Sequence, residues 1–187
     1  MSFKTPQLMV DRKAIYSKLV FGELPVSSWN KLIRRDFLKE NSIDFYEGVI
    51  HEDVDFLYKL AAHVTSFALC PVITYCYRVQ REGSILSTTN DDRSTQSRIL
   101  VYNACLDKKM KMPFRKLLTR SIFLRLIFVL QTAHVSHNLR YSFNTLCWRT
   151  VHEASGMDGF WMGLYLRAPK FLKNRFYNLY SKKMKSL

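Results

Sequence analysis

Two adjacent carboxylates, Glu52-Asp53, head a segment whose apolar residues recur at helical spacing, with His51 directly before them. A carboxylate at the start of a helix is held firmly by the backbone and can face a cleft, where it can take a proton from an attacking hydroxyl. The same acids also complement the positive end of the helix dipole, and taken alone they favour that plainer reading. His51 can line the same cleft or serve structurally. Upstream, Trp29-Asn30-Lys31 place an indole, an amide and an amine in succession. Downstream, Arg78, Arg81 and Ser84 offer the forked donors and hydroxyl that suit phosphate. Each has a simpler alternative: Trp29 as a core anchor, Lys31 with Arg34 and Arg35 as a solvated face, the arginines as exposed loop residues. His134 and His137 stand three apart, but no acid or cysteine lies nearby in sequence to complete a metal site.

These residues need elements to position them. Asp11 is suited to cap a short helix through Leu19, which Gly22 and Pro25 end. The spacing of Trp29, Leu32, Ile33, Phe37 and Leu38 predicts a second helix from Trp29 to about Lys39. Ile43 to Tyr46 reads as a short strand closed by Gly48. A third helix runs from Glu52 to about His63, burying Val54, Leu57, Tyr58, Ala61 and Ala62. Ser66 to Tyr77, rich in β-branched and aromatic residues, reads as a buried strand, and Arg81 to Asn90 as a polar loop. Beyond Asp91 the pattern is helical: Asp92–Lys109, Phe114–His134, Leu139–Glu153, Met157–Leu166 and Lys170–Lys183, with breaks at Pro113, Gly156 and Pro169. The change of pattern puts a boundary near Asn90.

Charge divides the chain at nearly the same place. From Lys108 to Leu187 there are 16 Lys and Arg against two acids, Glu153 and Asp158, whereas the first 107 residues balance at 13 against 13. The whole net charge of +14 therefore lies in the last 80 residues, where it favours anionic partners. Hydrophobic residues make up 48% of the chain, enough for a core. Cys70, Cys76, Cys105 and Cys147 form no C-x-x-C pair and lie in apolar contexts, as free thiols of a reducing, cytoplasmic setting do. Met1 to Arg12 lacks the apolar run of a signal peptide. The most apolar run, Ser121 to Gln131, is interrupted by Arg125 and falls short of the roughly 20 residues that span a bilayer.

Three islands carry a resemblance: Ser28-Trp29-Asn30-Lys31-Leu32-Ile33-Arg34-Arg35-Asp36-Phe37-Leu38, Phe45-Tyr46-Glu47-Gly48-Val49-Ile50-His51-Glu52-Asp53-Val54, and Tyr75-Cys76-Tyr77-Arg78-Val79-Gln80-Arg81-Glu82-Gly83-Ser84. Their order and spacing resemble the acceptor-side half of family 2 glycosyltransferases of the GT-A fold, enzymes that build bacterial capsules, lipopolysaccharide and related surface glycans. The resemblance implies an inverting transfer from a nucleotide-sugar donor to a glycan or lipid-linked acceptor. Asp53 would be the base and Glu52 its partner in the Glu-Asp pair. It puts Trp29, Asn30 and Lys31 at the sugar and acceptor pocket, and Arg78, Arg81 and Ser84 near the donor diphosphate. It tips Glu52-Asp53 from dipole complement to catalysis. Asp53-Val54-Asp55 spells the D-x-D by which the family holds a divalent metal, but the family's motif ends a strand ahead of this half, so the match is accidental.

In the family a parallel-sheet nucleotide-binding half precedes these islands, and Met1 to Ser28 has no room for one. The divalent metal, Mg or Mn, is accordingly expected only with that missing half, and this chain is expected to hold no cofactor itself. The fold expected is α/β, part of a GT-A domain over residues 1–90, grading into a mainly α-helical basic region over 91–187. Basic residues interleaved with aromatics in that region suit an anionic membrane surface, or a packed appendage with a solvated basic face. Nucleic acid ranks last, for want of a recognised motif. The rival to an enzyme component is a non-catalytic remnant or interaction protein that docks through the same tail.

Overall fold

The structure, a computed structural model, describes residues 7–73, 75–78, 92–107, 113–132, 135–169, 172–173 and 177–178. The described residues are mainly helical with one small sheet. Strand β1 (Gln7–Met9) precedes α1 (Arg12–Val20), a single 3-10 turn (Ser28–Asn30), α2 (Arg35–Glu40), α3 (Glu52–His63) and β2 (Phe67–Leu69); α4 (Asp92–Leu106), α5 (Arg115–Thr132), α6 (His137–Ala154) and α7 (Gly156–Arg167) follow. The two strands pair antiparallel, Leu8 opposite Ala68.

Local chemistry accounts for the elements that match expectation. Asp11 caps α1, its carboxylate accepting from the Lys13 and Ala14 N–H groups at 2.9 and 3.1 Å. Ile15, Tyr16, Leu19 and Val20 then bury one face of α1. Helix α3 begins and ends where its acids and apolar spacing indicate, and buries Phe56, Leu60 and Asp55 besides the expected five residues. Gly48, at φ +79°, supplies the left-handed turn that brings the chain round to α3.

Three expectations are corrected. The single helix from Trp29 to Lys39 is instead a 3-10 turn, an extended stretch with Lys31 at φ −126°, ψ 134°, and the short α2. Trp29 turns to distant aromatic partners, the Lys31 ammonium bonds back to the Pro25 and Ser27 carbonyls at 2.6 and 2.7 Å, and Leu32 is left fully exposed. Ile43 to Tyr46 is not a strand but the exit from α2. Ser42 takes a left-handed φ of 51°, its N–H donating to the Lys39 carbonyl, and the Ile43 N–H donates to the Leu38 carbonyl at 2.9 Å. That is a Schellman ending, and Ile43 is buried as the apolar residue that follows such a cap. Among the described residues of Ser66 to Tyr77, strand is confined to Phe67–Leu69; Val72, Ile73, Tyr75 and Tyr77 are exposed. Gln7–Met9 supplies the strand's pairing partner.

The helices beyond Asp91 run close to their expected bounds where they are described; most of the predicted Lys170–Lys183 helix lies outside the described residues, as does the Arg81–Asn90 loop. One hydrophobic core gathers Ile15, Tyr16 and Leu19 of α1, Leu57 and Tyr58 of α3, Val101 and Cys105 of α4, Leu118 and Ile122 of α5, and Phe143 and Leu146 of α6, and so draws on both sides of residue 90. Helices α6 and α7 meet closely at Gly159, where an added Cβ would lie 2.9 Å from the Val151 carbonyl oxygen. Cys105 and Cys147 are buried, and burial pushes the Cys147 thiol up to about 12, whereas Cys70 and Cys76 are exposed. Among the described residues no helix is long and apolar enough to cross a membrane.

Candidate functional site

The start of α3 is tied down from two directions. His51 occupies the capping position and its carbonyl accepts from Val54 N–H at 3.2 Å. Its ring Nε2 lies 2.9 Å from Ser94 Oγ at the start of α4, and the Ile50 N–H donates to Ser97 Oγ at 3.1 Å. Phe45 stacks on Phe56 at 4.5 Å, and Lys59 Nζ donates to the Asp44 carbonyl, which fixes the approach loop against α3. Glu52 and Asp53 are both partly buried at this anchored end.

Asp53 is the electrostatic centre. Burial raises its pKa; the backbone N–H groups of Val54 and of Asp53 itself, and the charges of Arg125 and Lys31, draw it partly back. Lys31 is held down at about 8 by burial, against the pull of Asp53. All three ammonium protons of Lys31 find acceptors, on Pro25, Ser27 and Asn30 Oδ1, so its role here is to clamp the loop and lend its charge to Asp53. His51 is pushed down to about 4 by burial, then by Arg98 and Arg125, and is neutral near pH 7.

The three islands meet at this end of the molecule. Trp29 stacks on Tyr75, centroids 4.2 Å apart, and on Tyr77 at 5.8 Å with rings nearly parallel, so the first and third islands share a half-exposed aromatic platform. Lys31 joins the first island to Asp53 of the second. Asn30 is exposed and engaged with Lys31. Arg78 is exposed one residue beyond Tyr77, and Arg81 and Ser84 lie outside the described residues.

Beside His51 and Val54 opens a cavity of about 430 Å³, whose polar lining includes Arg98 and Tyr102 of α4, Ser121 and Arg125 of α5, and Tyr177. Behind it Tyr58 OH lies 2.7 Å from Ser121 Oγ, which donates to the Val20 carbonyl at 2.7 Å; Arg125 Nη2 donates to the same oxygen at 3.2 Å. Burial opposes the charge on Arg125, but Tyr58 and Tyr102, with Asp53 beyond, outweigh it and keep the guanidinium charged. Sequence reasoning had not placed Arg98, Tyr102, Ser121 or Arg125 near Glu52-Asp53. One signal was available for Arg125: it is the single charge in the most apolar run of the chain, a position that demands a polar counterpart.

Asp55 stands apart from this chemistry. It is fully buried and pairs with Lys59 at 2.6 Å on its own helix. Two residues on from Asp53 it points about 200° away at 3.6 residues per turn, so the formal D-x-D does not present two carboxylates together. Among the described residues no group of three or more His, Cys, Asp or Glu could hold a metal ion. His137 is exposed, and His134 lies outside the described residues. Comparison with protein-family models, with curated proteins and with solved structures found no match for this chain.

Proposed function

We propose that the chain is the acceptor-side half of a family 2 glycosyltransferase of the GT-A fold, with Asp53 as the base of an inverting sugar transfer. The observation that carries the reading is the convergence of the three islands, separated by up to some fifty residues in sequence, on one end of α3. There Trp29 stacks on Tyr75 and Tyr77, and Lys31 acts on Asp53. Aromatic faces suit the C–H surfaces of a sugar ring, and a carboxylate whose pKa is raised accepts a hydroxyl proton more readily than a solvated one.

In the reaction so read, Asp53 takes the proton of the acceptor hydroxyl as its oxygen forms the bond to the anomeric carbon and the nucleoside diphosphate departs with the bonding pair. Glu52 completes the acidic pair, Trp29 with Asn30 and His51 would line the acceptor side, and the resemblance assigns the donor diphosphate to Arg78, Arg81 and Ser84. The nucleotide, and the Mg or Mn ion on its diphosphate, would be held by a separate nucleotide-binding half. Exposed Leu8, Val10, Val72 and Ile73 around the strand pair provide an apolar surface for that half to cover. The acceptor is a surface glycan or its lipid-linked precursor.

The test is sugar transfer by the chain supplied with a nucleotide-binding half, comparing wild type with Asp53→Asn and Asp55→Asn. Loss of about 100-fold or more in Asp53→Asn, with Asp55→Asn affected only through stability, supports the reading. Equal turnover by wild type and Asp53→Asn would leave the non-catalytic interaction protein as the better account.

A further inference from the structure

Helix α7 turns apolar side chains both inward and outward. Gly159, Met162, Gly163 and Tyr165 are buried against its neighbours, while Met157, Phe160, Trp161 and Leu164 are exposed, Met157 and Phe160 by 67% and 61%. At 3.6 residues per turn those four fall within an arc of about 100°, a continuous outward stripe. Scattered exposed apolar residues need no explanation, but a two-turn stripe containing Phe and Trp does. Beyond α7, the described residues pack on its inward face. Lys173 Nζ donates to the Leu166 carbonyl and sits over the Tyr165 ring at 5.6 Å, and Tyr177 packs on the Phe123–Tyr165 cluster.

Charge identifies the occupant. The region from Lys108 onward holds 16 cations and two acids, and both acids are already engaged: Glu153 with Arg115 at 2.8 Å and Asp158 of α7 with Arg120 at 2.9 Å. Arg167, exposed one turn past Leu164, lies over the Trp148 ring at 4.9 Å and leaves a cation at the end of the stripe. A second copy of the chain would bring like charge against like charge. An anionic bilayer offers the opposite sign together with an apolar layer beneath it, the combination to which an amphipathic helix with a basic rim is fitted.

We propose that α7 lies on an anionic lipid surface, with Met157, Phe160, Trp161 and Leu164 entering the boundary between headgroups and acyl chains. Arg167 at the end of the stripe and the positive excess carried by residues 108–187 supply the attraction. This face stands independently of the sugar-transfer reading and holds even if Asp53 is not a base. The experiment is vesicle flotation of the full chain with phosphatidylcholine alone and with phosphatidylcholine containing about a third phosphatidylserine, with tryptophan emission recorded alongside. Binding to the anionic vesicles at low salt, weakened by added salt and accompanied by a blue shift from Trp161, is expected. The Phe160→Ser/Leu164→Ser variant should lose about tenfold or more in partitioning with an unchanged thermal melt. No binding of wild type to anionic vesicles, equal binding of the variant, or wild-type self-association that the variant abolishes would each overturn the proposal.

Discussion

Helices α3 and α7 have the same length and put their chemistry in different places. Helix α3 buries eight of its 12 residues, among them Leu57, Tyr58 and the ion-paired Asp55, and presents reactive groups only at its anchored first turn. Helix α7 buries four of its 12 and displays an apolar stripe along its length. A helix locked into a core on most sides can hold one carboxylate still at its end. A helix with a free apolar face makes a contact surface and contributes little to positioning. Charge along the sequence follows the same division: it balances over residues 1–107, which include α3, and is in excess by +14 over residues 108–187, which include α7 and only two acids, Glu153 and Asp158.

Substitutions should widen or erase this contrast. The largest loss of stability is expected in α3. Leu57→Ala, which removes a side chain only 1% exposed, should cost about 3 kcal/mol by chemical denaturation. Lys59→Met leaves the buried Asp55 carboxylate without its cation and should cost a similar amount, about 3 kcal/mol; a change below about 0.5 kcal/mol would mean that the pair contributes little to stability. Tyr58→Phe removes the hydroxyl beside Ser121 but leaves Ser121 bonded to Val20, so about 1 kcal/mol is expected. On α7, Phe160→Ser should fall within about 0.5 kcal/mol of wild type, and a large destabilisation there would show that the stripe is covered.

Acid should also act through the α3 end. His51 is depressed to about 4 from 6.5, so between those values the unfolded chain binds a proton that the folded chain rejects. The stability attached to a neutral His51 is complete above pH 6.5, declines as pH falls, and is gone below about 4. After solvent screening of this partly exposed ring the loss should be about 1–2 kcal/mol. The raised pKa of Asp53 works in the opposite sense, since protonation relieves a buried charge as pH falls. The readout is therefore the difference between wild type and His51→Gln, measured at neutral and acid pH. Parallel stability curves would mean that His51 titrates as it does in the unfolded chain.

The sequence was informative where local rules decide. Asp11 followed by spaced apolar residues specified α1, and acids ahead of Val54, Leu57, Tyr58 and Ala61 specified α3 to the residue. It failed where a side chain had a distant partner. Trp29, Leu32, Ile33, Phe37 and Leu38 have helical spacing, but Trp29 is held by Tyr75 and Tyr77, and no periodicity reports a contact across forty-odd residues. The run from Ser66 to Tyr77 has strand composition throughout, yet strand needs a pairing edge, and β1 supplies three residues of it. Within the site, Glu52-Asp53 was legible because an acid pair at a helix start is a local feature. Arg125 and Ser121 were not, because they reach the α3 end only through the packing of α5 on α1 and α3. On α7 the break at Gly156 was visible, but which apolar residues face outward depends on how α6 lies against Gly159 and Gly163.

The most direct test of Asp53 as base at an aromatic acceptor platform is a steady-state comparison of wild type, Asp53→Asn and Trp29→Ala, with a nucleotide-binding half supplied and acceptor varied. Asp53→Asn should lower kcat by about 100-fold or more with its thermal melt preserved, while Trp29→Ala raises the acceptor KM and leaves kcat nearly unchanged. An Asp53→Asn protein that folds normally and keeps wild-type kcat would contradict the account.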